Sequence, residues 1–171
     1  VHMAHPNKAS RYFKLLGITL DENLTFDQNT SLLLSKLSRA TFHINRLKYL
    51  VPQKVLLSLY YAFAHSHLTY CSTIASCTSK SNIEKIFKAQ KKALRAACMK
   101  PYHEHTAPLF EQHSILTYHN IVKQAQLQFM HAIYHGYALS VFEGLWPKNA
   151  DRELQHALRN ADEFVIPKVN L

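Results

Sequence analysis

The sequence predicts a mainly α-helical protein: a bundle of about five helices, with a short β element before it and an extended C-terminal tail after it. Only 3 of the 171 residues are glycine, whereas average usage would give about 12. Sheet proteins need glycine in turns and bulges, so its scarcity favours helices. Hydrophobic residues make up 47% of the chain and charged residues 18%. This balance supplies a core and excludes a disordered polyelectrolyte.

The N-terminal region predicts a short β element. Residues 1–10, which begin Val1-His2-Met3, are expected to be a cloning remnant and a linker. Residues 11–20 are β-prone and precede a turn cluster at 21–23, which predicts a strand or a strand pair. So small an element needs partners to be stable. Because unpaired strand edges attract other strands, we expect that it could pair with a second copy of the chain.

The first half of the chain then carries two long helical patterns and a shorter one. Apolar residues at helical spacing predict a first helix over 27–48. Pro52 occupies the first position of a second predicted helix, which extends to residue 63. A short helix or turn is expected across 68–77.

Capping residues define the elements of the second half. Ser81 and Glu84 have the spacing of a capping box, which predicts a third helix over 82–99. The remaining predicted elements are a fourth helix at 107–113, a fifth between its cap Thr117 and Gly136, a helical turn at 138–147, a helical composition at 150–160, and an extended tail at 164–169 without a partner strand.

The charge balance indicates an anionic partner. Lys and Arg number 20 against 11 Asp and Glu, which gives a net charge of +9, and no acidic residue occurs between 28 and 83. Nucleic acid is the usual partner of such a protein, although many basic domains merely stay soluble in this way. The motifs GxxxxGK[ST] and GxGxxG are absent. NTP-binding enzymes of those kinds are therefore excluded.

The third predicted helix concentrates positive charge on one face. Four of its basic residues fall within roughly a quarter-turn and a fifth lies at the margin, with apolar residues opposite. Such a face can lie along a phosphate backbone, although a solvated amphipathic helix is the alternative. A solvated face normally mixes both signs of charge, whereas Glu84 is the single acidic residue here. The basic ridge consists of Lys85, Lys88, Lys91, Lys92 and Arg95.

The first predicted helix supplies a second tier of candidate nucleic-acid-binding residues, namely Lys36, Arg39 and Arg46. Aromatic residues are interleaved with this positive region and could stack on bases or sugars. Tyrosine at helical spacing is, however, more often half-buried core. The tyrosines concerned are Tyr49, Tyr60, Tyr61 and Tyr70.

Neither a metal site nor a catalytic centre is predicted. His131 and His135 share a helix face, but a structural zinc site needs four closely spaced Cys or His ligands. Cys71 has His65 and His67 upstream, yet nothing supplies an oxyanion hole for a thiol nucleophile. The early carboxylates, which we assign to turns and caps rather than to a two-metal site, are Asp21, Glu22 and Asp27.

Cysteine usage and hydropathy bear on location. The three cysteines include no CxxC pair, which favours a reducing, intracellular compartment. No apolar run reaches the ~18 residues of a membrane span, so no membrane partner is expected.

Six short blocks occur in a particular order along the chain. They are FKLLGITLDENLTF at 13–26, LYYAF at 59–63, HLTYC at 67–71, AQKKALR at 89–95, HTAPLF with a following IL at 105–116, and LRN with FVIP at 158–167. Together these blocks resemble the C-terminal part of non-LTR (LINE-type, jockey- and RTE-like) retrotransposon reverse transcriptases, from the primer grip through the thumb into its helical extension.

The resemblance implies a division of the chain. Leu16 and Gly17 would set the turn of a primer-grip-like β segment at 11–26. Residues 27–100 would be the thumb helical bundle, and residues 101–171 a helical C-terminal extension that is expected to be cut short.

The resemblance also implies partners. The thumb would bind the duplex of RNA template and DNA primer, with the palm and fingers of the same polymerase as protein partners. Nucleus and cytoplasm are the implied locations. The catalytic aspartates and their Mg²⁺ belong to the palm, so neither a cofactor nor activity is expected of this chain alone. The alternative is a helical protein-interaction module derived from such an element.

Overall fold

The protein is described by a computed structural model over residues 12–142, 144–151 and 162–165, and its fold is mainly helical, as predicted. The chain divides into two units, Val1–Gln126 and Leu127–Leu171. The elements are β1 Tyr12–Leu15, β2 Ile18–Asp21, α1 Asp27–Leu47, α2 Gln53–Tyr60, a π-helical turn Tyr61–His65, α3 Ser66–Thr69, α4 Ser72–Ala75, α5 Lys80–Ala97, α6 Ala107–Gln112, α7 Tyr118–Tyr134, and 3₁₀ turns at Ser140–Phe142 and Asn149–Asp151.

The strands β1 and β2 form an antiparallel hairpin in which Leu15 lies opposite Ile18. Leu16 and Gly17 join them with φ angles of 46° and 83°, the sign pattern of a type I′ turn, which matches the twist of two strands. The hairpin contacts α1: the Thr19 amide of β2 donates a hydrogen bond to Asn29 Oδ1 at 3.3 Å. The predicted strand pair therefore forms, and α1 supports it.

Asp21 fixes the turn between the hairpin and α1. Its carboxylate accepts hydrogen bonds from the amides of Thr25 (2.9 Å), Phe26 (2.9 Å) and Asn23 (3.1 Å) and from the Thr25 hydroxyl (3.0 Å). These bonds, with that from the Thr25 amide the strongest, lower the pKa of Asp21 below its usual value.

Asp21→Ala is expected to lower the melting temperature by a few degrees at pH 7, because three turn amides lose their acceptor. A carboxyl with a lowered folded-state pKa stabilises the fold above its unfolded pKa of about 3.9, and that contribution is lost as the pH falls through the lower folded value. The difference between variant and wild type should therefore shrink on acidification. Circular dichroism melts at pH 7 and below pH 4 measure it, with Glu22→Ala as control. A difference that grew on acidification would contradict this role.

The first unit has its core where α1, α2 and α5 meet, joined by α6 and the start of α7. α1 and α5 begin side by side, since Asn82 Nδ2 donates to Asp27 Oδ1 at 2.6 Å. The apolar positions that predicted these helices are the ones they bury. The largest fully buried aliphatic side chains are Leu37, Ile44, Leu56, Leu68, Ile86 and Leu94.

The predicted start of the third helix is wrong by two residues. α5 begins at Lys80, and its cap is Ser79, whose hydroxyl accepts from the Asn82 amide at 3.3 Å. Ser79 is the cap instead of Ser81 because Asn82, three residues after Ser79, is held in place. The Asn82 side chain donates hydrogen bonds to Asp27 and to the Thr78 hydroxyl, the latter at 3.0 Å. Glu84 does not close a capping box.

The predicted second helix and the short element after it are subdivided. α2 ends at Tyr60 and passes through the π-helical turn into α3. Cys71, with a left-handed φ of 49°, separates α3 from α4. The single predicted element at 68–77 is therefore two short helices.

Gln90 is a buried polar centre in the middle of α5. Its side-chain amide donates to Tyr60 Oη at 3.1 Å and to the Leu116 carbonyl at 2.8 Å. Its Oε1 accepts from the Tyr118 amide at 2.7 Å. One side chain thus joins α5 to α2, to the segment before α7 and to the first residue of α7.

In the second unit, α7 ends where predicted. Gly136 has a φ of 70°, and the Tyr137 amide returns to the Ala132 carbonyl at 2.8 Å, as at many glycine-terminated helices. Beyond it, Phe129 contacts Phe142 and Trp146 edge to face.

The expected absence of a partner for the C-terminal strand is corrected. Phe164 forms an antiparallel bridge with Lys148, flanked by bonds from the Asn149 amide to the Glu163 carbonyl (2.8 Å) and from the Val165 amide to the Pro147 carbonyl (2.9 Å). The partner had no β pattern to reveal it, because it is a single loop residue. The predictions for residues 1–10, 152–160 and 166–169 lie outside the described residues.

Hydropathy adds one observation on the fold. Within the ranges that the structure describes, no helix is both long enough and apolar enough to cross a bilayer.

Candidate nucleic-acid interface

The basic ridge lies on the outward side of α5. The opposite side of the helix is buried, with Ile86, Ala93 and Leu94 almost inaccessible to solvent. Three ridge residues, Lys85, Lys88 and Lys92, are exposed, whereas Lys91 and Arg95 are half-buried.

Neighbouring groups hold three of the five ridge residues in place. Lys85 Nζ donates to Asn82 Oδ1 at 3.1 Å, and Lys91 Nζ lies 4.3 Å from the centre of the Phe87 ring. Arg95 Nε donates to the Glu104 carbonyl at 2.7 Å, and its guanidinium carbon is 5.8 Å from the Tyr102 ring centre. All of these partners are neutral groups, so none of them offsets the positive charge of the ridge.

The carboxylates closest in sequence to the ridge are engaged elsewhere. Glu84 Oε1 is 3.0 Å from His119 Nε2, and Glu104 pairs with Lys100 at 3.9 Å. In the described part of the chain, no carboxylate therefore forms a salt bridge with a ridge side chain.

A second positive surface lies on α1. Lys36, Arg39 and Arg46 are exposed, and the 3.6-residue period places them with His43 on one face of the helix. Arg46 lies apart from the other two, with its guanidinium carbon 5.9 Å from the centre of the Phe42 ring.

Lys36 and Arg39 line a cleft between α1, the hairpin turn and α3. An inner cavity of about 160 Å³ adjoins them together with Lys14, Gly17, His67 and Tyr70. An outer cavity of about 350 Å³ shares Lys36, Arg39 and His67 and adds His43 and Phe63. We call these two cavities the basic cleft; no Asp or Glu in the part of the chain that the structure describes lines either one.

The primer-grip-like turn is one wall of the basic cleft. Tyr70 Oη donates to the Leu16 carbonyl at 2.6 Å, which ties the turn to the end of α3. A Cβ added at Gly17 would lie 3.9 Å from Tyr70 Cε1 and would be strained by the positive φ. The Leu16 side chain itself is 81% exposed.

His67 lines both cavities of the basic cleft and is not among the binding residues that the sequence predicts. It lies in the HLTYC block at 67–71, upstream of Cys71. Burial lowers the pKa of His67, and the charges of Lys36 and Arg39 lower it further. The signal in the sequence was weak, because only the folded chain brings residue 67 to residues 36 and 39.

The four interleaved tyrosines have different environments. Tyr60 is core: burial raises its pKa to about 12, and its hydroxyl serves Gln90. Tyr49 is 86% exposed, with Lys48 Nζ 5.9 Å from its ring centre. Tyr61 and Tyr70 are about half exposed. Tyr60 is therefore unable to stack on a base.

Among the candidate metal-binding and catalytic residues, Asp21, Glu22 and Asp27 line one cavity at the turn before α1. The His131 and His135 rings lie with their centres 4.2 Å apart and their planes tilted by 46°. In the described ranges, no three His, Cys, Asp or Glu side chains form a group that could hold a metal ion. Cys71 is exposed, whereas burial raises the pKa of Cys98 to about 11.

No family model, curated protein or solved structure matches this chain. Its class is therefore defined by fold and surface alone: a mainly helical protein whose first unit carries the basic ridge and the basic cleft.

Proposed function

We propose that this chain binds nucleic acid without catalysing a reaction, as the thumb region of a LINE-type reverse transcriptase that holds the duplex of RNA template and DNA primer. The observation that carries the proposal is the basic ridge: exposed lysines on the outward side of a well-packed helix, with no carboxylate paired to them among the described residues. The resemblance of the six blocks to that family is the reason for proposing the RNA/DNA duplex as the ligand.

Such a ridge would contact phosphates and would not read bases. From Lys85 to Arg95 it extends about 15 Å, at 1.5 Å per residue, which corresponds to the rise of about four base pairs. Lysine and arginine along a backbone fix position and contribute affinity without sequence preference. This is the property that a polymerase thumb requires, because it must hold any template.

The finer features belong to the same proposal. Leu16 and Gly17 would form the primer-grip turn, and the palm and fingers of the polymerase would be the protein partners. Mg²⁺ would be needed only in the palm. The protein would act inside the cell, in nucleus and cytoplasm.

The affinity for a 20-base-pair RNA/DNA hybrid is expected to fall steeply with salt. About four phosphate contacts give a slope near −3.6 when the logarithm of the association constant is plotted against that of the salt concentration. Lys88→Gln with Lys92→Gln should reduce the magnitude of this slope by about 2, because two contacts are lost. Fluorescence anisotropy between 50 and 300 mM salt measures it, with Lys54→Gln and Lys123→Gln, exposed lysines of α2 and α7, as the matched control.

A second candidate function is a helical protein-interaction module. It is favoured by the apolar side chains that the hairpin exposes, Phe13 at 63% and Leu15 at 51%, which could pair with a second copy of the chain. Hybrid binding that ignored salt, or a control pair that lowered the slope as much as the ridge pair, would refute the first proposal. Dimers found by analytical ultracentrifugation and lost in Phe13→Lys would then favour the second.

A further inference from the structure

We propose that the basic cleft binds a phosphate group of a nucleic-acid backbone and that His67 takes up a proton when it does so. The inference rests on the proposed function for its ligand. It adds a second binding surface, distinct from the ridge, and makes the interaction sensitive to pH.

The cleft gathers cationic groups from separate elements. α1 supplies Lys36 and Arg39, one turn apart, and α3 supplies His67 across both cavities. β1 adds Lys14 to the wall of the inner cavity. An arginine fork and an ammonium group are the donors that phosphate oxygens accept best.

No carboxylate among the described residues lines the basic cleft to neutralise these cationic groups. The described residues that line the cavities are cationic or neutral, and the Tyr70 hydroxyl already donates its hydrogen bond to the Leu16 carbonyl. Like charges held around a cavity repel one another, and an anion between them removes that repulsion. The small inner cavity can take a phosphate, and the outer one, bordered by the half-exposed ring of Phe63, leaves room for the sugar and base attached to it.

The coupling to protons follows from what faces His67. Lys36, Arg39 and His43 face it from α1, Lys14 from β1, and Tyr70 from the end of its own helix. Burial and the first two of these groups lower the pKa of the free imidazole. A phosphate bound in the cleft places a negative charge beside His67. This charge favours the protonated imidazole and raises the pKa of His67. His67 then gains a proton on binding, and affinity is higher at low pH and lost as the pH rises.

The first experiment follows the His67 ring protons of the full chain by NMR as the pH is varied. One titration contains sodium chloride and the other inorganic phosphate at the same ionic strength, and the exposed His103 serves as internal reference. We expect phosphate to raise the titration midpoint of His67 and to leave that of His103 in place. A midpoint of His67 that does not move with phosphate overturns the inference.

The second experiment uses the RNA/DNA hybrid. The affinity for the hybrid is expected to rise between pH 8 and pH 5.5, and His67→Gln should reduce this rise by a factor of up to about ten. A factor of ten corresponds to a change of one unit in the pKa of His67 on binding. His103→Gln should leave the rise unchanged. Lys36→Gln with Arg39→Gln should abolish both the gain and the response of His67 to phosphate. An equal gain in His67→Gln and wild type overturns the coupling.

The two proposals fail in different ways. Phosphate could leave the titration midpoint of His67 unchanged, and His67→Gln could leave the pH dependence of hybrid binding unchanged. If hybrid binding still depended on salt, these results would refute the cleft inference and leave the proposed function intact. If inorganic phosphate shifts His67 but the chain does not bind the hybrid at any salt concentration, the proposed function falls and with it the nucleic acid as the ligand of the cleft.

Discussion

Gln90→Leu is expected to lower the free energy of unfolding by about 4 kcal/mol, a large effect for one substitution. Leucine has a similar volume, so little of the loss comes from packing. The loss comes from the hydrogen bonds of Gln90 to three groups, namely the buried Tyr60 Oη, the buried Tyr118 amide and the partly buried Leu116 carbonyl. The two buried groups would lose this partner, at about 1–3 kcal/mol each.

Urea unfolding followed by circular dichroism measures this loss. Gln124→Leu is the matched control: the same substitution on the exposed side of α7, where a change within about 0.5 kcal/mol is expected. If both variants unfolded at the same urea concentration, the Gln90 bonds would not be contributing to stability. If Gln90→Leu lost its stability but kept its slope against urea, the effect would lie in the folded state.

Gln90 also shows where prediction from sequence stops. The spacing of the apolar residues of α5 predicts which side of the helix is buried, and Gln90 lies on that side. It occurs in the AQKKALR block at 89–95, beside two lysines of the basic ridge. A glutamine on a buried face predicts a hydrogen-bonded group, but its acceptor and donor lie 26 and 28 residues further along the chain. Only the packing of α6 and α7 against α5 identifies them.

The elements themselves were largely predictable because their signals are local. Gly17 marked the hairpin, Thr117 and Gly136 bounded α7, and apolar spacing located α1. The error at the start of α5 has the same origin. Ser79 and Ser81 are both good caps, and the choice between them is made by Asp27, whose side chain reaches Asn82 from 55 residues away.

The two parts of the candidate interface differ in the same way. The basic ridge is a property of a single helix, so its outward face could be predicted from residue spacing. The basic cleft depends on contacts distant in sequence, such as the bond from Tyr70 to Leu16, 54 residues apart. In the sequence, charge alone makes Lys36 and Arg39 candidate binding residues. That they share a cavity with His67, and that Arg46 does not, is a consequence of tertiary packing.

The reversal of three ridge charges, Lys85→Glu, Lys88→Glu and Lys92→Glu together, is expected to weaken hybrid binding at least about a hundredfold at 0.1 M salt. Each substitution removes a phosphate contact and adds a charge that the backbone repels. All three side chains are exposed, so the fold should be retained, and the thermal melt of the variant tests this.

The matched control separates a located surface from the overall charge. Lys54→Glu, Lys100→Glu and Lys123→Glu change three exposed lysines outside the ridge, and both triple variants reduce the net charge from +9 to +3 (9 − 6). If binding depended on net charge, the two variants would lose affinity equally, and the ridge would be no more than a part of a basic surface. If the ridge is the contact, the control should lose less than about tenfold, because only long-range attraction is reduced and the Debye length at this salt concentration is about 10 Å.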